Sequence, residues 1–247
     1  EASPILATLI TLTNHYPFDD LDKYGPFDVE HLEGTSIGNY FKSYHYADNA
    51  LKTFIDRMDS EGLLDNAVVV LYGDHHANIP DEDYEKFFNY DKKTDDYYEE
   101  DTPEYTEIDE ILSKKLKRTP FIIWSKDRIA NDIIDTPMGM VDALPTLANM
   151  IGITNPYQLG IDIMSATDNV VVFPDTSWIN NKYFYSTISD TYYDLNNEKE
   201  IEKTLELLSF TESAESKIEI SNNIVNNDLI KAFKELFAKN KRFHEAL

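Results

Sequence analysis

The sequence predicts an α/β domain with a mostly parallel sheet flanked by helices, followed by a small C-terminal subdomain with an antiparallel sheet and helices. Strand-like and helix-like segments alternate through residues 1–165, the order typical of a parallel sheet. One of these strands, residues 67–72, is apolar throughout, as expected of a strand covered on both faces. Residues 166–247 instead contain short strands joined by Asp and Asn turns, and then helices.

The larger domain begins with a predicted strand, a loop and a long helix. Residues 5–12, ILATLITL, are aliphatic and β-branched, which predicts a buried strand. Pro17 turns the residues after it into a loop. Between residues 41 and 61 the apolar positions recur on one helical face, and Gly62 suits the end of that helix. The apolar run 67–72 follows at once as the second strand.

An acidic segment separates these elements from the rest of the domain. Residues 81–110 hold 14 Asp or Glu against 3 Lys, which predicts a solvated surface insertion rather than a cation site. A helix is expected near 104–117, and residues 119–124, TPFIIW, form the third predicted strand. A further helix is expected to run from Asp142, whose side chain can cap it, through Ile151.

The C-terminal subdomain, residues 166–247, has a different pattern. Its strands are short and separated by turn residues, so antiparallel pairing is expected. The predicted strands are 170–173, 178–179, 183–188 and 192–195, and the predicted helices are 198–216 and 222–245.

The composition excludes several kinds of site and partner. The chain has no cysteine, which excludes disulfides, cysteine-ligated zinc and a cysteine nucleophile. Its net charge of −24 argues against nucleic acid as a partner, because phosphate binding needs a basic surface. No apolar run approaches the ~20 residues of a transmembrane helix, and the first residues lack the basic region of a signal peptide. Any export signal or membrane anchor is therefore expected outside these 247 residues.

The strongest local signal for chemistry is the segment Gly73-Asp74-His75-His76, which follows the strand 67–72. In open α/β sheets, ligands bind at the carboxyl ends of the strands. A carboxylate and an imidazole placed there can share one divalent metal. The spacing is equally compatible with a polar turn that binds nothing, because two adjacent residues do not make a complete metal site.

The other histidines have weaker settings. His15 follows the first predicted strand, so it can meet the same sheet edge as His75, or it can be a capping or packing residue. His45 and His244 are expected to be structural or exposed, and His31, in a polar loop, stays undecided.

Several segments form an ordered set of motifs. Residues 10–18 read ITLTNHYPF, and residues 68–75 read VVVLYGDH. In their order along the chain, these and the further segments given below resemble the motifs of lipoteichoic acid synthases and related phosphoglycerol transferases. The acidic segment 81–110 matches least. The remaining matches are 40–51, 119–124, 141–147, 159–164 and the strand-like stretch 170–195.

This resemblance implies an alkaline-phosphatase/sulfatase-like fold and one divalent ion, Mn²⁺ or Mg²⁺. It implies that Asp74 and His75 are metal ligands and that His15 lies in the glycerol-phosphate pocket. The threonine nucleophile and a further metal carboxylate of the family are expected upstream of this chain, so no catalytic nucleophile is assigned within it.

The implied reaction moves glycerophosphate from phosphatidylglycerol to a growing lipoteichoic acid-type polymer through a covalent threonine intermediate. The resemblance further implies a site on the extracellular face of a Gram-positive cell membrane. There the missing N-terminal half of the catalytic domain would be a partner, and N-terminal transmembrane helices would anchor the parent protein. Two alternatives stay open. One is a metal-dependent phosphodiesterase or sulfatase-like hydrolase, in which water accepts the transferred group, and the other is a non-catalytic fragment of such an enzyme.

Overall fold

The computed structural model describes residues 5–127 and 132–244. The chain divides into two compact units, Glu1–Asn131 and Asp132–Leu247. The predicted division between residues 165 and 166 stays a prediction, and the five-stranded sheet of the predicted subdomain lies wholly in the second unit. Within the described residues, no helix combines the length and the apolar character needed to cross a membrane.

The first unit is organised around one long helix, which begins five residues earlier than its apolar pattern indicates. The side chain of Thr35 caps it by accepting a hydrogen bond from the backbone N–H of Gly38, 3.0 Å away. Gly62, with φ of +70°, follows its end, as predicted. The elements of this unit are α1 (Leu21–Tyr24), a 3-10 turn (Glu30–Leu32), α2 (Ser36–Ser60), β1 (Val69–Tyr72), α3 (Asp81–Phe88), β2 (Tyr90–Asp91), β3 (Asp96–Tyr97), α4 (Glu110–Leu116) and β4 (Phe121–Trp124).

The predicted strand at residues 5–12 is wrong, because this segment forms no strand and its side chains are exposed. Ile5 and Leu6 are 91% and 94% exposed, and Ile10 is 79% exposed. A strand exists only where a neighbouring strand satisfies its backbone groups. Within the described residues β1 pairs with β4 alone, so residues 5–12 have no neighbouring strand to pair with despite their β-branched composition.

The strands β1 and β4 were both predicted, but they pair antiparallel. Val69 lies opposite Trp124, and Tyr72 lies opposite Phe121. The sequence pattern indicated a mostly parallel sheet, whereas no parallel pair occurs within residues 5–127 and 132–244. An apolar run indicates that a strand is covered on both faces, but it carries no information on the direction of its neighbour.

The acidic segment 81–110 contains more structure than a solvated insertion. Most of its charged side chains are exposed, as predicted, but it holds α3 and the hairpin of β2 and β3. Asn89 is buried and binds Thr106 in both directions: its amide donates to the carbonyl oxygen, and its Oδ1 accepts from the backbone N–H. Asp83 is also buried, and its carboxylate accepts hydrogen bonds from the backbone N–H groups of Ser36 and Ile37.

The second unit contains a five-stranded antiparallel sheet in which every strand pairs with its sequence neighbours, in the order β5-β6-β7-β8-β9. The last strand was not predicted, and the first of the two long helices begins seven residues later than expected. The elements are a 3-10 turn (Met140–Asp142), α5 (Ala143–Met150), a second 3-10 turn (Ile163–Ser165), β5 (Val171–Val172), β6 (Trp178–Ile179), β7 (Tyr183–Ser186), β8 (Thr191–Asp194), β9 (Lys199–Ile201), α6 (Leu205–Asn226) and α7 (Leu229–His244).

The core of the second unit lies between this sheet and α6. Trp178 and Tyr192 are buried from the sheet side, and Leu207 and Ala214 from the helix side. Both aromatic polar groups reach Thr211: the indole N–H donates to its hydroxyl over 3.0 Å, and the Tyr192 hydroxyl lies 2.9 Å from it. Burial of these large rings is therefore achieved without an unpaired polar atom on either of them.

Asp142 has a different role from the helix cap that the sequence indicated. Its side chain makes no cap hydrogen bond to α5. Instead, the buried carboxylate accepts from the backbone N–H groups of Gly139 and Ile161, both at 2.9 Å, and from the side-chain amide of Asn169 at 2.8 Å. It therefore joins three separate stretches of the second unit.

Candidate metal and substrate site

The candidate site lies where β1 ends. The pairing of β1 with β4 continues one residue past Tyr72, because the backbone N–H of Gly73 donates to the carbonyl oxygen of Pro120 over 3.1 Å. A Cβ atom on Gly73 would lie 2.9 Å from Cβ of Thr119. Glycine suits this position because the two strands approach closely, and a side chain would displace Thr119.

Asp74 and His75 follow directly and expose their side chains. The Nδ1 atom of His75 lies 2.8 Å from the carbonyl oxygen of His76. A carbonyl only accepts, so Nδ1 is the donor of this hydrogen bond, and in the neutral ring Nε2 carries the free lone pair. That Nε2 lies 3.8 Å from Oδ1 of Asp74, so a nitrogen donor and a carboxylate oxygen stand side by side.

His15 reaches the same place from the loop that precedes α1. Its ring centroid lies 5.8 Å from that of His75, and the two planes are nearly perpendicular at 86°. Its Nδ1 lies 2.7 Å from the carbonyl oxygen of Tyr16, so this histidine also donates from Nδ1 and presents Nε2. The two imidazoles are therefore held in the same tautomer by the same local device.

Phe18 fixes the position of the His15 loop. Its side chain is 1% exposed, and its ring packs against that of Tyr40 in α2 at a centroid distance of 5.2 Å. Its backbone N–H donates to the carbonyl oxygen of His15 over 3.3 Å. The hydroxyl of Tyr24 holds the other side of the loop by donating to the carbonyl oxygen of Thr13 over 3.1 Å. The exposed histidine thus stands on a buried aromatic anchor.

His76 points into a different environment from His75. It is half-buried and lines an open cleft of about 410 Å³, together with Tyr16, Tyr84, Ser113 and Lys117 among others. Burial lowers the pKa of His76 below its usual value, and the positive charge of Lys117 lowers it further. Both effects favour the neutral imidazole.

A model of the sulfatase family matches residues 1–153, which is more than half of the chain and includes every residue of this site. The chain belongs to the sulfatase family. The predicted metal pair Asp74 and His75, and the predicted pocket residue His15, are therefore residues of a sulfatase-family domain.

Among curated proteins, this sulfatase-family chain is similar to several named lipoteichoic acid synthases. It is 29% identical to lipoteichoic acid synthase 2 of Bacillus subtilis (strain 168), over 93% of this chain and 33% of that protein. It is 29% identical to the lipoteichoic acid synthase of Staphylococcus aureus (strain USA300), over 94% of this chain and 34% of that protein. The chain therefore spans about a third of the length of these relatives.

The fold is similar to the crystal structure of the lipoteichoic acid synthase LtaP from Listeria monocytogenes. The TM-score is 0.66 at 26% sequence identity, over 88% of this chain and 53% of that one. The predicted fold class, an alkaline-phosphatase/sulfatase-like arrangement with a small antiparallel subdomain, is confirmed.

The donor set of this sulfatase-family site suits a divalent cation but is incomplete. Mn²⁺ binds both carboxylate oxygen and imidazole nitrogen, whereas Mg²⁺ prefers oxygen ligands. Within residues 5–127 and 132–244, no group of three or more His, Cys, Asp or Glu side chains is close enough to hold an ion. Asp74 and His75 therefore fit as part of a metal site that needs further ligands.

Of the remaining histidines, the two whose side chains the structure describes stack on aromatic rings. His31, which the sequence left undecided, stacks on the ring of Tyr90 at a centroid distance of 3.8 Å. His45 is exposed and stacks on Phe27 at 4.4 Å, as expected of a structural residue. The side chain of His244 lies outside the described residues. The sequence analysis assigned no role to Phe18, which anchors the His15 loop, or to Lys117, which lies near His76. The position of Phe18 in the segment ITLTNHYPF was the one available signal, and it concerned Phe18 alone.

Proposed function

We propose that this chain is part of a metal-dependent phosphoglycerol transferase. In this proposal the whole protein moves glycerophosphate from phosphatidylglycerol to a growing lipoteichoic acid-type polymer through a covalent threonine intermediate. The threonine and the remaining metal ligands come from parts of the protein outside this sequence. Similarity to lipoteichoic acid synthases over 92–94% of the chain supports this reading.

The observation that carries the proposal is an imidazole Nε2 beside a carboxylate, with a second imidazole ring next to the first. In both His15 and His75, Nδ1 is held by the next residue's carbonyl oxygen. The Nε2 of His75 lies 3.8 Å from Asp74, while the His15 ring lies 5.8 Å from the His75 ring. Metal-binding histidines commonly donate their other ring N–H to a carbonyl or carboxylate, which fixes ring and tautomer.

Asp74 and His75 would hold the ion, which we propose is a single Mn²⁺ or Mg²⁺. When bound, such an ion polarises a phosphoryl oxygen and offsets its negative charge. Asp74 supplies the negative charge that makes a divalent cation favourable there, and His75 supplies a neutral donor whose orientation is already fixed.

His15 would contact the substrate instead of the ion. Protonated, its Nε2 donates a hydrogen bond to a phosphate oxygen; neutral, the same atom accepts a proton from an alcohol. Its loop is anchored by Phe18, so little conformational entropy is lost when it binds. We therefore assign His15 to the glycerol-phosphate pocket.

We further propose that the site works outside the cell, at the membrane surface of a Gram-positive bacterium. Phosphatidylglycerol and the glycerophosphate polymer would be its substrates. The N-terminal half of the catalytic domain and a membrane anchor would belong to the rest of the protein. The relatives from Bacillus subtilis and Staphylococcus aureus support this setting.

A second candidate function uses the same site residues but a different acceptor for the transferred group. In a phosphodiesterase or sulfatase-like hydrolase, water would take the transferred group. An assay of the full-length protein on phosphatidylglycerol separates the two, because a transferase yields glycerophosphate polymer and a hydrolase yields free glycerophosphate.

The metal assignment is tested by variants of Asp74 and His75 in the full-length enzyme. Asp74→Asn and His75→Ala should each lower bound manganese, and each should reduce turnover by at least ~100-fold. Asp19→Asn, which removes another exposed carboxylate of this unit, is the matched control, and His76→Ala should have a smaller effect than His75→Ala. Full manganese content and full activity in Asp74→Asn would show that the assignment is wrong.

A further inference from the structure

The C-terminal helix α7, Leu229–His244, has a charge opposite to that of the rest of the chain. Its sequence, LIKAFKELFAKNKRFH, contains five Lys or Arg and one Glu, a net charge of +4 in a chain whose net charge is −24. Nothing in the proposed reaction makes use of this helix, since the candidate metal and substrate residues all lie before residue 80.

The apolar residues of α7 recur with helical spacing. Leu229, Ile230, Phe233, Leu236 and Phe237 stand at i, i+1, i+4, i+7 and i+8, the pattern of a single apolar face. Lys231, Lys234, Lys239, Lys241 and Arg242 fall outside this face by the same spacing. The helix is therefore amphipathic, with large apolar residues on one side and basic residues around the rest.

The part of this apolar face that the structure describes, residues 229–236, does not contribute to the core of the second unit. Every residue from 231 to 236 is exposed, and the exposed fractions of Phe233 and Leu236 are 48% and 54%. Among the side chains that the structure describes, which end at residue 236, none from α7 belongs to the core between the sheet and α6. Exposing such an apolar face to water is unfavourable, so a helix of this kind is stabilised when another surface covers the face.

We propose that α7 binds in the surface plane of an anionic phospholipid bilayer. A basic polar face opposite large apolar side chains is the arrangement that lets a helix lie at the headgroup boundary, with its apolar face among the upper acyl chains. The helix is about 24 Å long and carries six charges, so it suits the surface and not the interior of a bilayer.

Charge complementarity selects the anionic lipid. The remainder of the chain is strongly acidic, so an anionic bilayer repels it, and binding depends on the local positive charge of α7. One supporting argument rests on the proposed function, namely that its donor substrate is an anionic membrane lipid. Binding is measured without turnover, so the two proposals can fail separately.

The test is flotation of the 247-residue chain with vesicles of 30% phosphatidylglycerol and 70% phosphatidylcholine, compared with pure phosphatidylcholine. Binding should require phosphatidylglycerol and weaken when salt is raised from 50 to 500 mM. Each basic residue near such a surface contributes a factor of about five. Lys231→Gln with Lys234→Gln should therefore weaken partitioning by ~25-fold, whereas Lys182→Gln with Lys199→Gln, exposed lysines elsewhere in the unit, should leave it unchanged.

The apolar contribution is tested by Phe233→Ser with Leu236→Ser. This variant should lose binding, and Ile188→Ser with Leu205→Ser, at 80% and 87% exposure, is its control. Three results would overturn the proposal: no binding to either vesicle, equal binding to neutral vesicles, or binding that the α7 variants leave intact. A dimer that the α7 variants dissociate, without vesicle binding, would assign the face to a second copy of the chain instead.

Discussion

Replacement of Asp83 by alanine should destabilise the first unit although this residue belongs to the acidic segment. The backbone N–H groups of Ser36 and Ile37 lie 2.6 and 3.2 Å from Oδ2 of Asp83, and Thr35 satisfies the next N–H group. The first three N–H groups of a 25-residue helix thus depend on two side chains, one of them 47 residues away.

The expected loss is worked from these two hydrogen bonds. A hydrogen bond to a charged group contributes about 1.5–3 kcal/mol, and loss of an N-terminal cap costs about 0.5–2 kcal/mol. Because Asp83 is 5% exposed, water does not readily replace it. These contributions overlap, so Asp83→Ala should cost about 3 kcal/mol, or about 10 °C in the melting temperature of a unit of this size.

The assay uses the two tryptophans of the chain, one in each unit. Their indole N–H signals, Trp124 in the first unit and Trp178 in the second, are followed by NMR through a urea titration. The transition of Trp124 should move to lower urea in Asp83→Ala, and Asp81→Ala, which removes an exposed carboxylate from the same helical turn, should move it little. A loss below ~1 kcal/mol, or an equal loss in the control, would refute the reasoning.

Three further predictions follow from the site. Gly73→Ala should destabilise the pairing of β1 with β4 by about 1–3 kcal/mol, because the new Cβ would stand 2.9 Å from Thr119; an unchanged urea midpoint would contradict this. His76 should titrate by NMR below its usual value of about 6.5, and Lys117→Gln should raise its pKa. The folded pKa of His76 is lower than its unfolded pKa, so the stability that His76 contributes is fully present above the unfolded pKa and is lost as the pH drops through the folded pKa. His76→Gln should therefore make the free energy of unfolding less dependent on pH in this range. The 247-residue chain alone should not turn over phosphatidylglycerol, and chelator-sensitive turnover would disprove that.

The sequence was most informative where the signal is local. The strands at residues 69–72 and 121–124 and the end of α2 at Gly62 each depend on a few adjacent side chains, and each was predicted to within two residues. The proximity of His15 and His75 was also anticipated, but for the wrong reason. It was expected from two strands that end at one sheet edge, whereas the structure holds His15 through the burial of Phe18 against Tyr40.

The errors concern relations between distant parts of the chain. Residues 5–12 have the composition of a strand, but pairing decides whether a strand forms, and composition does not name the partner. The direction of β4 relative to β1 is likewise absent from either run. The carboxylate of Asp83 looked like one of 14 acidic side chains in a solvated segment, because nothing near it in sequence shows that it faces the start of a helix 47 residues earlier.

The two sheets differ in how far apart their strands lie along the chain, and this bears on the order of folding. The five-stranded sheet joins only consecutive strands, so each hairpin closes a short loop and can form early. The pair β1–β4 must instead close a loop from residue 72 to residue 121, at a larger entropic cost. Until it closes, the run AVVVLY stays unpaired and has the high β-propensity and absence of charge that favour intermolecular pairing. During refolding, the aggregation hazard of this strand therefore lasts until that loop closes, and its partner at residues 121–124 is exposed for the same time.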